Sequence, residues 1–300
     1  MKIAPARYGL LLTGIAGLSL AGVFYKLTSA PILAVVAWRM LIGALVMAPV
    51  AFLMRRARGS ASPLSNADIA WSAAGGAFFC ADLVLWAVSL RYTSVASAAL
   101  FVSTDPIYVA ALAALLFRER PSPLALAGLL VAVAGIAVVG AADLHLSGRA
   151  LEGDALALAA ALAETAYLLV GRHVRQRVDA PRYVLIVYAT CAACGWLVVL
   201  LAGVNAHMST HDMVMATAVA LSATAIGHTL VSLSLGYMPA ALVSVTFLAQ
   251  PILAALFALA FLHQPVPPLT IAGGLTALAG IGIVAFANER STPAASTSAP

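Results

Sequence analysis

Long apolar runs, separated by a few polar or proline-bearing residues, fill the chain from about residue 8 to residue 287. They lack the alternation of polar and apolar positions that marks a membrane β-barrel. Each run is close to the roughly 20 residues a helix needs to cross a bilayer. The pattern predicts ten spans, at 8–27, 31–54, 67–90, 94–117, 123–141, 153–171, 182–203, 212–235, 239–262 and 268–287. Pro31, Pro123, Pro239 and Pro268 stand near span starts, where a missing N–H costs least. Residues 291–300, rich in Ser, Thr, Ala and Pro, read as a disordered tail. The expected fold class is all-α integral membrane.

Composition supports this pattern. Hydrophobic residues are 63% of the 300 and charged residues 9%, against roughly 45–50% and ~25% in soluble domains. Mean hydropathy is +1.02. So apolar a chain leaves no room for a soluble catalytic domain. The net charge of +5 does not point to nucleic acid, because the cations sort by membrane side. With the N-terminus inside, twelve of the sixteen Lys and Arg residues are cytoplasmic. Lys26, Arg91 and Arg149 are outside and Arg39 is within the membrane. Ten spans with both termini cytoplasmic follow. Cys80, Cys191 and Cys194 all lie in apolar runs and read as buried thiols. A single CxxC without a second ligand pair is no zinc site.

The chain repeats itself. Tyr92, Pro106, Ile107, Pro123, Ala127, Gly128 and Gly135 recur as Tyr237, Pro251, Ile252, Pro268, Ala272, Gly273 and Gly280, always 145 residues later. Two repeats, 1–145 and 146–290, each hold five spans. An odd number inserts the second copy upside down. The loop Arg118-Glu119-Arg120 is then inside, and its counterpart His263-Gln264-Pro265 is outside and uncharged. Inverted repeats are characteristic of transporters, with the substrate near the midplane at the repeat interface. Gly128 with Ala132, and Gly273 with Ala277, form small-xxx-small stripes. These predict close packing of spans five and ten, either within one chain or between two in a homodimer.

Charges inside a bilayer cost roughly 2.5–3.5 kcal/mol each on insertion scales, so they mark candidate chemistry. Arg39 and Asp82 both fall ~12 Å below the outer face at about 1.5 Å per residue, and equal depth suggests a pair. Their alternative is a direct substrate or gating role. Asp105 and Glu164 fall near ~16 Å, close to the midplane. Either carries a proton or satisfies neighbouring hydroxyl and backbone groups. Gln250 is the repeat counterpart of Asp105, and Pro106 and Pro251, which follow them, are expected to bend spans four and nine around a cavity. Lys26 either snorkels to the outer interface or attracts a carboxylate. His228 is a buried neutral histidine, a proton relay or a gate. Phe78, Phe79, Asp82 and Trp86 lie near helical spacing and can share a face. Phe24, Tyr25, Trp38, Tyr108 and Tyr167 are further aromatic candidates for the cavity wall. Trp86, Tyr92 and Tyr237 equally suit an interfacial belt.

From Tyr92-Thr93-Ser94 through Asp105-Pro106-Ile107 to Phe117-Arg118-Glu119-Arg120, and on through Pro123, Gly128 and Gly135, the chain resembles the EamA-type drug/metabolite transporters. Phe24-Tyr25-Lys26 looks like the end of that family's first helix, and Pro31 to Arg39 with Gly43-Ala44 like its second. The resemblance spans about residues 8–287. Gln250 stands where the family often has Glu, and His263-Gln264 where it often has Gly-Glu, which weakens a coupling role for Gln250. Within the family, aromatic amino acid exporters of the YddG type are similar in length and character. The resemblance implies a secondary transporter of the bacterial inner membrane that exports small hydrophobic metabolites, amino acids among them, without cofactor. Facilitated or proton-coupled export of other metabolites or drugs is the neighbouring reading. An intramembrane enzyme or a channel is a distant one: the chain contains neither GxxxxGK[ST] nor HExxH, and its six histidines are scattered.

Overall fold

A computed structural model describes residues 5–57, 64–105, 107–108, 122–144, 149–175, 177–234 and 249–291. Within them the chain is helical: α1 (Pro5–Ser19), α2 (Ala21–Leu27), α3 (Ile32–Ala57), α4 (Asn66–Ser89), α5 (Val95–Val102), α6 (Pro123–Leu144), α7 (Ala150–Val174), α8 (Ala180–Leu201), α9 (Thr210–Val219), a π-helical stretch (Ala220–His228), α10 (Thr229–Ser234), α11 (Ala249–Leu262) and α12 (Pro268–Ser291). Six stretches are long and apolar enough to cross a membrane, and three further apolar helices are shorter. The predicted fourth and ninth spans each run partly outside the described residues, as do Pro106, Tyr237, Pro239 and the Arg118-Glu119-Arg120 loop.

Short polar residues start the helices. Ser65, Ser94, Asp179 and Ser209 each accept a hydrogen bond from the backbone N–H three residues on, satisfying one of the orphan donors of a first turn. After α8, Gly203 turns the chain at φ 62°, a left-handed stop that suits glycine.

Two predicted spans are not uniform helices. The first is divided at Leu20 into α1 and α2. The eighth widens from α to π at Ala220–His228. There the wide turns leave the Thr224 carbonyl to side chains: Tyr188 Oη donates to it at 3.1 Å and Thr229 Oγ1 at 3.4 Å. Close helix approach frames this stretch. A Cβ on Gly17 of α1 would stand 2.4 Å from the Ser222 carbonyl oxygen.

The packing follows the 145-residue repeat. α3 lies on α8 and α6 on α12, each the counterpart of its partner, and α5 lies on α11. Two further sets of contacts come in exchanged pairs. α4 packs on α7 as the π stretch packs on α1, and α4 on α8 as α9 and the π stretch pack on α3. Such an exchange is what a two-fold axis between the repeats produces. The core along this axis is apolar and aromatic, and Leu11, Ile15, Met40, Phe79, Tyr183 and Tyr188 are fully buried there. The small-residue stripes pack α6 onto α12 inside one chain. Gly135 faces Ala277, and Gly280 faces Ala132. The stripes are therefore used within one molecule.

Candidate functional site

A cavity of about 40 Å³ lies where the repeats meet, lined by Leu18, Ala21, Arg39, Asp82, Leu83, Trp86, Val102, Glu164, Ala223, His228 and Gln250. Arg39, Asp82, Trp86, Glu164, His228 and Gln250 are thus brought together from four helices and the π stretch. Water occupies ~30 Å³, so this space suits about one water molecule. Ligand pockets usually run about 300–1,000 Å³. The site is contracted.

Arg39 on α3 is 1% exposed. Its Nε donates to Thr224 Oγ1 at 2.9 Å and Nη1 to Tyr25 Oη at 3.3 Å. Its guanidinium carbon lies 5.9 Å from the Tyr25 ring centre. The expected Arg39–Asp82 pair is corrected here. Both line the cavity, but no ion pair joins them among the described residues. Asp82 on α4 is 5% exposed. It stands within electrostatic reach of Arg39 and Asp105, and Glu164 of both carboxyl groups, so three acids share this region.

Aromatic rings form a second layer. Phe79 stacks on Tyr167 with centroids 4.8 Å apart and on Tyr188 at 6.1 Å, and meets His228 edge-on at 4.8 Å. Tyr25 meets Trp86 edge-on at 5.7 Å. Tyr167 therefore supports the site without lining it.

Other predicted wall residues fall elsewhere. Phe78 is 42% exposed on the outside of α4. Phe79, about 100° further round the helix, is fully buried instead. Phe24 packs half-buried against the core. Trp38 meets Trp196 edge-on at 5.2 Å and donates its Nε1–H to the Ala206 carbonyl at 3.1 Å. Tyr108 and Asp105 are half-buried and outside the lining. Pro251 lies early in the described part of α11, whereas Pro106 lies outside the described residues. The bends expected at both prolines involve neighbouring residues also outside them. Pro49, inside α3, is a helix proline that the repeat pattern did not single out.

Lys26 does not line the cavity. Its Nζ donates to the Leu90 carbonyl, and to that of Thr93 at 3.1 Å. It thereby caps the carbonyl-rich end of α4, where a cation is favoured.

The same end of the molecule carries a clasp that sequence reasoning missed. Asp212 Oδ1 accepts from Thr28 Oγ1 at 2.7 Å, Ser29 N at 2.8 Å and Ala30 N at 3.3 Å. Its Oδ2 accepts from Ser209 Oγ at 2.6 Å and Ser29 Oγ at 3.2 Å. The start of α9 is thus fastened to the loop between α2 and α3. Arg91 Nη2 donates to the Ala30 carbonyl at 3.1 Å, tying the loop after α4 to the same point. Ser209-x-x-Asp212 reads locally as a helix start, and the long-range partners, some 182 to 184 residues away, leave no local signal. Near the start of α4, Arg177 stands 3.7 Å from Asp68 and Trp71 meets His173 edge-on at 5.7 Å.

A helical membrane protein with two structural repeats and a polar cavity between them belongs to the class of repeat-built transporters. The EamA-like transporter family model matches residues 7–141 and 151–286, and the chain belongs to that family. A solved structure titled "Crystal structure of protein" is 18% identical, with a TM-score of 0.64, over 93% of this chain and 96% of that one. At that identity it shows the fold alone. No curated protein matches the chain.

Proposed function

We propose that the protein is a secondary carrier exporting small hydrophobic metabolites, foremost amino acids with apolar and aromatic side chains, across the bacterial inner membrane. It works by alternating access, as two inverted five-span repeats at about 1–145 and 146–290 with both termini cytoplasmic. One observation carries the reading: a single contracted cavity draws charged and polar groups from both repeats in an otherwise apolar core. Rocking the repeats about that site exposes it to one side at a time. The Asp212 clasp is then the closed outer gate, since the positive-inside rule sets its loops outside. Phosphorylated substrates would want clustered cations, and Arg39 is the one cation in the lining.

Counterflow of labelled phenylalanine, tryptophan and threonine into proteoliposomes tests this. Saturable exchange is expected. A linear, unsaturated flux would indicate a channel instead.

Glu164 is the candidate coupling acid, because a carboxylate in the cavity can exchange a proton as access alternates. Glu164→Gln should keep counterflow and lose the response to an imposed pH gradient. An unchanged gradient response rejects that role.

A further inference from the structure

We propose that the cavity reads its substrate as a zwitterion, with Arg39 taking the carboxylate, Asp82 taking the ammonium group, and Tyr25 and Thr224 holding Arg39 ready. This rests on the carrier reading above and names the substrate class of the same site.

An arginine and carboxyl groups in one small cavity ordinarily pair, because a buried unpaired charge is costly. Here they do not. Two neutral hydroxyls, Thr224 Oγ1 and Tyr25 Oη, hold Nε and Nη1. Three of the five guanidinium N–H donors are left without a partner among the described residues. Neither Asp82 nor Glu164 accepts a hydrogen bond there, although both line the cavity and Asp82 is nearly fully buried. One wall thus offers a planar donor fork suited to a carboxylate. The other offers acceptors suited to an ammonium group. An amino acid head group supplies both complements at once, and Leu18, Leu83, Trp86 and Val102 surround it with apolar surface. Thr224 is a positioning residue: it is fixed on the π stretch, and its carbonyl is tied to Tyr188 and Thr229.

The test uses four probes on one aromatic skeleton in proteoliposome exchange: phenylalanine, phenylalaninamide, phenethylamine and 3-phenylpropionate. Wild type should exchange phenylalanine about 10- to 100-fold better than any probe lacking one head-group charge, as expected for losing a charge-assisted hydrogen bond. Arg39→Gln should lower phenylalanine exchange by a similar factor and spare phenethylamine. Thr224→Val should lower the phenylalanine-to-phenethylamine ratio, and Thr224→Ser should restore it. A purely structural role would depress all probes together and leave that ratio unchanged, which would overturn the positioning assignment. Equal exchange of phenylalaninamide or 3-phenylpropionate would overturn the zwitterion assignment and leave a carrier standing. No exchange of any probe by folded protein would overturn both. Should Arg39→Gln fail to fold, the Thr224 pair decides alone.

Discussion

Gly135→Leu should abolish the folded protein, as judged by monodisperse yield in detergent and by Tm. A Cβ at this position would stand 2.3 Å from the Ala277 nitrogen and 2.6 Å from the Gly273 carbonyl oxygen. Those are backbone atoms, which cannot swing aside as a side chain does. α6 and α12 would have to separate along their whole seam, and the repeat relation places Gly280 in the same position against Ala132, also at 2.3 Å. Overpacking a side chain costs about 1–3 kcal/mol where neighbours yield; two fixed backbones should cost more. Gly274→Ala is the control. Its Cβ would meet only Leu100, at 3.8 Å, and alanine favours helix over glycine by about 1 kcal/mol. It should be neutral or stabilising. If Gly135→Leu instead yields a folded protein that merely loses a dimer, the stripe serves contacts between chains and the seam described here is wrong.

Asp212→Ala should have the largest functional effect away from the cavity. It removes five acceptor contacts from Thr28, Ser29 and Ala30 that join the start of α9 to the loop between α2 and α3. Hydrogen bonds to charged groups contribute roughly 1.5–3 kcal/mol net where they are shielded from water. Losing even two of them, at the low end of that range, shifts a two-state equilibrium about 100-fold. The shift is toward whichever state lacks the clasp, which the proposed function assigns as outward-open. A cysteine placed at Ala21 in the cavity wall, in a background with the three native cysteines replaced, should then react much faster with an impermeant maleimide added outside. An unchanged labelling rate in folded protein would show that the clasp holds the loop and nothing more.

The gating assignment depends on a residue that the sequence did not advertise, and this separates what the chain wrote down from what folding decided. The apolar runs determined the helices, because a bilayer-length stretch without polar backbone partners has to satisfy its own N–H and C=O groups. The constant 145-residue offset determined the repeat, and the packing follows it pair by pair. Intramembrane charge picked out Arg39, Asp82 and Glu164, since such groups are too costly to keep without a use. Those three, with Trp86, His228 and Gln250, do line one cavity.

Direction and partnership were decided by tertiary structure. Phe78 and Phe79 are adjacent letters, yet one faces outward and the other stacks on Tyr167, because only packing sets which arc of α4 turns inward. Depth alone made Arg39 and Asp82 a pair, whereas the fold presents Thr224 and Tyr25 to the guanidinium instead. The small-residue stripes were compatible with one chain or two until α6 met α12. Lys26 and Asp212 are held by carbonyls, hydroxyls and backbone N–H groups from distant loops. Such partners have no periodicity or spacing to read, since every residue carries a backbone and only the folded chain decides which part of it a charge will meet.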